Sequence, residues 1–250
     1  MKLTDKVCLI TGGSGGIGSA TAIELARRGA DIAISGLPRD ADAAESVRAA
    51  VENLRVSCIC ISGDVGEPGE AARAVKETVE AFGRLDVLIH CAGGAAPGGL
   101  MEVCPEDWYR AFDVHVHAIF HLCRAAVPYM IERQEGAIVL ISSAAGSRGC
   151  AGAIAYGVAK GAVPQFARSL ARELAEHNIR VNAVAPGVIR TRFQDHLTPE
   201  QVRQNIENRI PLRREGKPED VAAAIVMLVE NDFISGENVA IDGGMTMRIA

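Results

Sequence analysis

The chain has 250 residues, with 26 basic and 31 acidic side chains and a formal charge of −5. The acidic balance disfavours nucleic acid and anionic membranes as partners, because phosphate groups are bound by basic surfaces. The length allows one large or two small domains, but no Pro/Ser/Gly-rich or charge-dense stretch divides the sequence, so we expect a single domain over 1–250.

The N-terminal segment argues against a secretory leader. Its apolar run is short and ends in a glycine turn, and no stretch of the chain approaches the roughly 18 apolar residues of a membrane span. The seven cysteines are an odd number without a CxxC pair, which favours reduced core thiols over a disulfide framework. We therefore expect a soluble, cytoplasmic protein.

Short β-branched runs alternate with helical patterns along the chain. Alternation of this kind predicts an α/β fold, a single Rossmann-type doubly wound parallel sheet of about seven strands with helices on both faces. Ligands of such sheets bind at the carboxyl ends of the strands, so the loops after the strands are the expected functional positions. The predicted strands lie at 7–10, 31–35, 57–62, 86–90, 137–142, 180–186 and 237–242.

A glycine-rich turn, TGGSGGIG, occupies 11–18 between the first strand and the first helix. Gly12, Gly16 and Gly18 allow the chain to turn sharply and to bring backbone N–H groups against a pyrophosphate at the helix N-terminus. Gly29 is better explained as the left-handed residue that ends this helix. The turn therefore predicts a nucleotide site near the N-terminus.

Tyr156 and Lys160 are four residues apart, and Ser143 precedes them by thirteen. On a helix, Tyr156 and Lys160 share one face. A free phenol, with a pKa of about 10, is a poor base, but a neighbouring cation favours the phenolate, so Tyr156 is suited to move the proton that accompanies hydride transfer. Ser143 is suited to hydrogen-bond the substrate oxygen, and no GxSxG motif marks it as a nucleophile.

These motifs together resemble those of the classical short-chain dehydrogenases/reductases, and the resemblance covers essentially the whole chain. Further matches are Asp64-Val65 after the third strand, HCAG at 90–93 where the family usually has NNAG, RVNAVAPGVIRT at 180–191, PEDVA at 218–222 and the terminal IDGG. The resemblance implies an NAD(P)-dependent oxidoreductase that acts on CH–OH groups, and a homotetramer or homodimer.

The resemblance also implies roles for individual residues. Asp64 would contact the adenine amino group, Ala92 and Gly93 would line the adenosine path, and Ile189 and Thr191 would contact the nicotinamide carboxamide or the diphosphate. Lys160 would also hold the ribose hydroxyls. The remaining residues expected to bind cofactor are Thr11, Ser14, Ile17, Ser35, Arg39, Val65, Tyr156, Pro186 and Gly187.

The end of the second strand bears on the choice of cofactor. A carboxylate there binds the ribose 2′-hydroxyl and repels a 2′-phosphate, but this chain has Gly36 in that place. Ser35 and Arg39 are near enough in sequence to approach a phosphate, so we favour NADP over NAD. Two observations oppose this choice: Gly15 stands where many NADP-preferring relatives have a basic residue, and Asp40 and Asp42 are acidic. The alternative for Arg39 is a solvated loop charge without a role in cofactor binding.

The sharpest departure from the family pattern is His115, which stands where the family commonly has an asparagine that holds a water chain leading from the lysine. An imidazole both donates and accepts hydrogen bonds, so we expect His115 to replace that asparagine. The alternative is that His115 only packs, while another group or water completes the relay. His117 and His121 are four apart, but no HExxH or completing ligand follows, so no metal site is predicted.

The substrate is the least determined feature. We expect a short helical lid over 192–212, which suits small substrates, and polar groups such as Arg148, Arg192 and Gln194, which match a sugar, polyol or hydroxy acid. The alternatives are a 3-oxoacyl-carrier-protein reductase, whose acidic carrier would prefer a basic face, and a non-catalytic NAD(P)-binding sensor or scaffold. The expected substrate contacts are Ser143, Ala145, Arg148, Tyr156 and Gly187, in a cleft also lined by Gly94, Ala95 and Cys150.

Overall fold

A computed structural model describes residues 1–195 and 197–247. Within these residues, seven parallel strands form one sheet in the order β3-β2-β1-β4-β5-β6-β7. The direction of winding reverses between β1 and β4, which is where doubly wound sheets bind their ligands. The strands are β1 Val7–Thr11, β2 Asp31–Gly36, β3 Cys58–Ser62, β4 Val87–His90, β5 Gly136–Ile141, β6 Ile179–Pro186 and β7 Asn238–Ile241.

Helices connect the strands and cover both faces of the sheet. No helix in the described residues has both the length and the apolarity that crossing a membrane requires. The α-helices are α1 Gly16–Ala26, α2 Ala41–Glu52, α3 Pro68–Phe82, α4 Pro105–Phe112, α5 Ala118–Arg133, α6 Ala144–Ser147, α7 Ile154–Leu174, α8 Pro199–Gln204 and α9 Pro218–Glu230. Short 3₁₀ turns occupy Pro38–Asp40, Ala175–His177 and Arg192–Gln194, and π-helical turns occupy Asp113–His117 and Asn205–Arg209.

The predicted fold class is confirmed, and each predicted strand is present with ends that differ by at most one residue. The agreement follows from burial on both faces of the sheet. Along β1, Cys8 and Ile10 pack with α1, α2 and α9, whereas Leu9 packs with α3, α5 and α7. A strand covered on both sides becomes a nearly continuous apolar run, which is easily recognised in a sequence.

The register of the sheet brings several loops to one edge. Thr11 at the end of β1 lies beside Ser35 of β2 and His90 of β4. Because the strands are parallel, the glycine-rich turn and the loops after β2 and β4 leave the sheet on the same side. The loop after β5 leaves on that side too, since β5 is parallel to β4.

The glycine-rich turn depends on close backbone approach. Gly12 has a φ of +65°, and a Cβ there would lie 2.8 Å from the Ala92 nitrogen. A Cβ at Gly18 would overlap the Gly12 carbonyl oxygen, whereas a Cβ at Gly15 would meet no atom within 4 Å. Gly15 also has an extended φ of −169°, which any residue adopts. Gly18 is therefore required by packing, and Gly15 is not.

We expect Gly18→Ala to lower the free energy of unfolding by about 1–3 kcal/mol, because the added methyl group forces the turn away from α1. The matched Gly15→Ala substitution should leave stability within about 0.5 kcal/mol of wild type. Urea unfolding of both variants measures the difference. Equal stability of the two variants would contradict the packing described for this turn.

Candidate active site

A cleft of about 810 Å³ opens at the carboxyl edge of the sheet. It is bounded by the glycine-rich turn, the segments after β4 and β5, the start of α7, the segment after β6 and the turn that follows β7. All four predicted catalytic side chains line it: Ser143, Tyr156, Lys160 and His115.

Ser143 and Tyr156 line the cleft together, and the Ser143 hydroxyl lies near enough to the phenol to affect its pKa. Ser143 is the N-cap of α6, and its Oγ accepts a hydrogen bond from the Ala145 nitrogen at 3.2 Å. Burial raises the pKa of Tyr156, and the Ser143 hydroxyl opposes that rise. Ser143 is thus oriented by the helix terminus beside Tyr156.

Lys160 is one helical turn beyond Tyr156 and is only 4% exposed. Its Nζ donates to the Ile141 carbonyl oxygen at 2.7 Å and lies 5.8 Å from the centroid of the Tyr156 ring. Burial lowers the pKa of Lys160 to about 8. We expected Lys160 and the oxidised nicotinamide together to favour the phenolate; among the groups of the protein alone, burial of the phenol has the largest effect on the pKa of Tyr156.

His115 lies in the π-helical turn between α4 and α5 and is 2% exposed. Its ring stands edge-on to Tyr156, with centroids 5.4 Å apart. Burial lowers the pKa of His115 to about 2, so the ring is neutral. In that form Nε2 donates to the Gly94 carbonyl at 3.0 Å, and Nδ1 is a buried acceptor with no partner among the described residues.

His90, the first residue of HCAG, connects three segments. Its Nδ1 accepts from Thr11 Oγ1 at 2.8 Å, and its Nε2 donates to the Val114 carbonyl at 3.0 Å. Thr11 Oγ1 also accepts from the Ala92 nitrogen at 3.2 Å. Thr11 was expected to bind cofactor, but its side chain is buried beneath the turn and does not line the cleft. Its hydroxyl instead joins β1 to the segment after β4.

A second cavity of about 570 Å³ shares the glycine-rich turn and His115 with the cleft, and extends to the ends of β2 and β3. Ser35 Oγ is buried there without a partner, and Arg39 has no ion-pair partner among the described residues. Asp64 accepts from the Gly66 nitrogen at 2.9 Å and pairs with Arg110 of α4. The predicted residues at this end are Ser14, Ser35, Arg39, Asp64, Val65, Ala92 and Gly93.

The segment after β6 covers the glycine-rich turn. Thr191 Cγ2 lies 3.2 Å from the position that a Cβ would take at Gly16. Ile189 is held by a backbone bridge to Gly216. The remaining predicted residues that line the cleft are Gly12, Gly16, Ile17, Gly18, Pro186 and Gly187.

The expected lid is formed by α8 with the 3₁₀ and π-helical turns beside it; His196, within the predicted span, lies outside the described residues. Arg148 lines the cleft as predicted, but its Nε and Nη2 donate to the Thr246 carbonyl at 3.0 and 2.7 Å. Ala145, Gly94, Ala95 and Cys150 line the cleft as well.

Residues that line the cleft and were not expected include Cys91, within HCAG, and Met245 and Thr246, in the turn after β7. Phe193 has its ring 5.9 Å from that of Tyr156, and the turn after β7 contributes two side chains. The alternation of apolar and polar residues does not by itself indicate which side chains face a cleft. The segment 192–212, which was expected to line the cleft, contributes Arg192, Phe193, Gln194, Leu197, Asn205, Asn208 and Arg209.

The residues present fit a nicotinamide dinucleotide. The open space above Gly15, at the N-terminus of α1, leaves room for an anion against the turn. The unpartnered Ser35 Oγ offers a hydrogen bond at the end of β2, and the unpartnered His115 Nδ1 offers one where the two cavities join. These cavities run continuously from the end of β3 to Tyr156.

The lowered pKa of Lys160 predicts a pH dependence of stability. The unfolded chain keeps the proton up to about pH 10.5 and the folded chain only to about pH 8, so unfolding takes up a proton between these values and stability rises with pH. Relative to Lys160→Met, the wild-type free energy of unfolding should increase by about 3 kcal/mol between pH 7.5 and 10.5. Urea unfolding of both proteins across this range measures it; a constant difference would show that Lys160 titrates normally.

Comparisons with known proteins agree with this site. A family model described as enoyl-(acyl carrier protein) reductase matches residues 12–246. The chain is 36% identical over 249 residues to the 3-oxoacyl-[acyl-carrier-protein] reductase FabG of Thermotoga maritima, covering 99% of this chain and 100% of the relative. It is 38% identical over 247 residues to the uncharacterized oxidoreductase YhdF of Bacillus subtilis, covering 97% and 84%.

Comparison with solved structures likewise finds dehydrogenases and reductases. The structure of an NAD⁺-bound xylitol dehydrogenase superposes with a TM-score of 0.90 at 31% identity, over 98% of this chain and 100% of that one. A levodione reductase superposes with a TM-score of 0.92 at 27% identity, over 98% of each chain. Together with the cleft that unites Ser143, Tyr156 and Lys160, these matches show that the chain belongs to the short-chain dehydrogenase/reductase family and is an NAD(P)-dependent oxidoreductase.

Proposed function

We propose that the protein transfers a hydride between NADP(H) and a small polar alcohol or ketone, such as a sugar, polyol or hydroxy acid. The observation that carries this proposal is that Ser143, Tyr156 and Lys160 line the same cleft as the glycine-rich turn. A single domain over 1–250 would supply every group that the reaction requires.

Tyr156 is proposed to move the proton. In reduction the phenol donates its proton to the substrate oxygen, and in oxidation the phenolate accepts the proton from the hydroxyl. The bound nicotinamide supplies or accepts the hydride, and its oxidised form is positively charged. Ser143 hydrogen-bonds the same substrate oxygen and stabilises the charge that develops there.

Lys160 is proposed to resupply that proton. Because its pKa is lowered to about 8, the ammonium gives up a proton near neutral pH more readily than an exposed lysine does. Its bond to Ile141 fixes one N–H, and the two other N–H bonds are available for the ribose hydroxyls and for water.

His115 is proposed to hold the water that connects Lys160 to solvent. The neutral ring has its donor nitrogen committed to Gly94, so the buried Nδ1 is available to accept a hydrogen bond from water. The asparagine that is common at this position in the family would bind the water through its side-chain amide. His115 then serves as a positioning residue for the water and does not itself carry the proton, because its pKa is far below neutral.

We expect His115→Ala to lower kcat by about 10–100-fold, because the relay loses an acceptor, while the Kd for NADPH changes less than about twofold. His115→Asn should retain most of the activity. Steady-state rates from pH 6 to 10 and fluorescence titration with NADPH measure the two effects. Added imidazole should partly restore the Ala variant; unchanged kcat in the Ala variant would remove His115 from the mechanism.

The preference for NADP rests on the residues beyond β2. Gly36 leaves no carboxylate at the strand end, and Ser14, Ser35 and Arg39 line the same cavity. A 2′-phosphate would gain a charge-assisted hydrogen bond from Arg39 and a neutral one from Ser35. Asp40 lines this cavity too and weakens the local positive potential, so the preference depends on Arg39.

We expect the wild-type protein to bind NADPH more tightly than NADH, and Arg39→Ala to raise the Kd for NADPH by about tenfold without changing that for NADH, because only NADPH carries the 2′-phosphate. Arg203→Ala is the matched control, since Arg203 pairs with Glu200 on the exposed side of α8. Fluorescence titrations measure these constants. Tighter binding of NADH, or no effect of Arg39→Ala, would overturn the cofactor assignment.

A second candidate substrate is a 3-oxoacyl thioester on an acyl carrier protein. The observation in its favour is that several relatives are named 3-oxoacyl-[acyl-carrier-protein] reductase, including those of Thermotoga maritima and, at 35% identity, Synechocystis. The acidic net charge of this chain works against an acidic carrier. Rates with acetoacetyl thioesters of the carrier and of coenzyme A, beside those with small polar ketones, distinguish the two substrates.

We also propose a cytoplasmic location and assembly into homotetramers or homodimers. All seven cysteines are free thiols, which a reducing compartment preserves. Val158 on α7 is 48% exposed, and Phe233, before β7, is 97% exposed; burial of such apolar side chains would stabilise a contact between copies. Light scattering of the purified protein tests the assembly.

A further inference from the structure

The charged side chains that line the cleft are distributed unevenly. Its nucleotide end, beside the glycine-rich turn, carries Asp40, whereas the end formed by the lid and the loop after β5 carries Arg148, Arg192 and Arg209. Among the described residues, no Asp or Glu lines that second end. The chain as a whole is acidic, so this local excess of positive charge does not follow from composition.

None of the three arginines pairs with a carboxylate among the described residues. Arg148 donates through Nε and Nη2 to the Thr246 carbonyl, and Arg209 donates through Nη1 to Asn205 Oδ1 at 2.9 Å. These bonds hold the two guanidinium groups and leave Nη1 of Arg148 and Nη2 of Arg209 available. Arg192 has no carboxylate partner in the part of the chain that the structure describes.

Three arginines of the same region that do not line the cleft are paired with carboxylates, whereas Arg213, also outside it, has no carboxylate partner among the described residues. Arg190 pairs with Glu215, Arg203 with Glu200, and Arg214 with Asp220 at 2.9 Å. The three paired arginines are neutralised by the protein, whereas Arg148, Arg192 and Arg209 are not. A cleft with one sign of charge concentrates the field and attracts the opposite charge.

We propose that the substrate carries an anionic group, a carboxylate or a phosphate, which binds the cluster of Arg148, Arg192 and Arg209. This inference rests on the proposed function, because it places the anion on the substrate of Tyr156 and Ser143. The fork of N–H donors on a guanidinium matches two oxygens of either anion. The substrates are then hydroxy acids or hydroxyalkyl phosphates and the corresponding oxo compounds.

The reaction is balanced without a further reagent. In oxidation, the carbinol C–H bond breaks and its electron pair leaves as hydride to NADP⁺. The O–H proton goes to Tyr156, and the C=O bond forms. In reduction, NADPH returns the hydride to the carbonyl carbon and Tyr156 returns the proton to oxygen. The anion is unchanged in both directions, so the arginines affect binding and orientation and not the chemistry of the reacting carbon.

The test compares each anion with a neutral molecule of similar shape. The probes are pyruvate, acetoacetate and levulinate beside their methyl esters, and dihydroxyacetone phosphate beside dihydroxyacetone. Calorimetry measures the binding of each probe to the protein with NADP⁺ bound, and NADPH consumption measures turnover. The carboxylate and phosphate series identify which anion is preferred. Arg192→Gln and Arg209→Gln are compared with Arg203→Gln, which removes the same charge outside the cleft.

We expect at least one anion to bind at least about tenfold more tightly than its neutral counterpart, and Arg192→Gln or Arg209→Gln to reduce that ratio by about tenfold. Arg203→Gln should leave the ratio unchanged. The Kd for NADPH should be the same in all three variants, which excludes a role of these arginines at the cofactor diphosphate.

Three results would overturn the proposal: no anion binds better than its neutral counterpart, the ratio does not depend on Arg192 or Arg209, or their substitution weakens NADPH binding alone. Failure of the proposed function is a different result. If the anions bind through the arginines but neither they nor the neutral ketones oxidise NADPH, hydride transfer to small ketones is contradicted while the anion site stands.

Discussion

Two hydrogen bonds between α7 and the end of β5 hold the reacting groups together. Lys160 Nζ donates to the Ile141 carbonyl at 2.7 Å, and Ser142 Oγ donates to the Lys160 carbonyl at 2.8 Å. The close approach of the two segments leaves no room for a side chain at Gly146, where a Cβ would lie 2.5 Å from the Lys160 carbonyl carbon. Tyr156 and Ser143 extend from these anchored segments, so their proximity depends on the buried lysine.

Burial of Lys160 lowers stability at neutral pH, and it also lowers the pKa of the ammonium. Removing an ammonium from water disfavours its charged form, and a single carbonyl only partly offsets this loss. The resulting pKa near 8 makes Lys160 a better proton donor than an exposed lysine, at the expense of stability at neutral pH. The two histidines beside it, His90 and His115, are neutral for the same reason of burial, and the ammonium further disfavours their protonation.

The parts of the fold that could be predicted from sequence are those with a physical signature in the chain. Buried parallel strands give apolar runs, and the glycine-rich turn requires glycine where backbone segments nearly touch, as at Gly18. The spacing of Tyr156 and Lys160 placed both on one helical face. The bond from Lys160 to the Ile141 carbonyl was not predicted, because Ile141 belongs to a distant segment and long-range contacts of this kind leave no local pattern.

The other differences between the expected and the observed site arise from the direction in which side chains point. Thr11 belongs to the expected motif, yet its hydroxyl is directed to His90, because a residue at the end of a central strand is covered on both faces. Arg209 lines the cleft through a π-helical turn, which changes the face on which side chains appear and could not be predicted from periodicity. Which side chains of the segment 192–212 face the cleft therefore became visible only in the folded chain.

The central claim is that Tyr156 transfers the proton that accompanies hydride transfer in this cleft. The most direct measurement is a single-turnover reaction of Tyr156→Phe with NADPH and a ketone that the wild-type protein reduces, together with a titration of NADPH binding. We expect the variant to bind NADPH with wild-type affinity and to oxidise it at a rate that is lower by at least about 10²-fold. A single-turnover rate equal to that of the wild-type protein would contradict it.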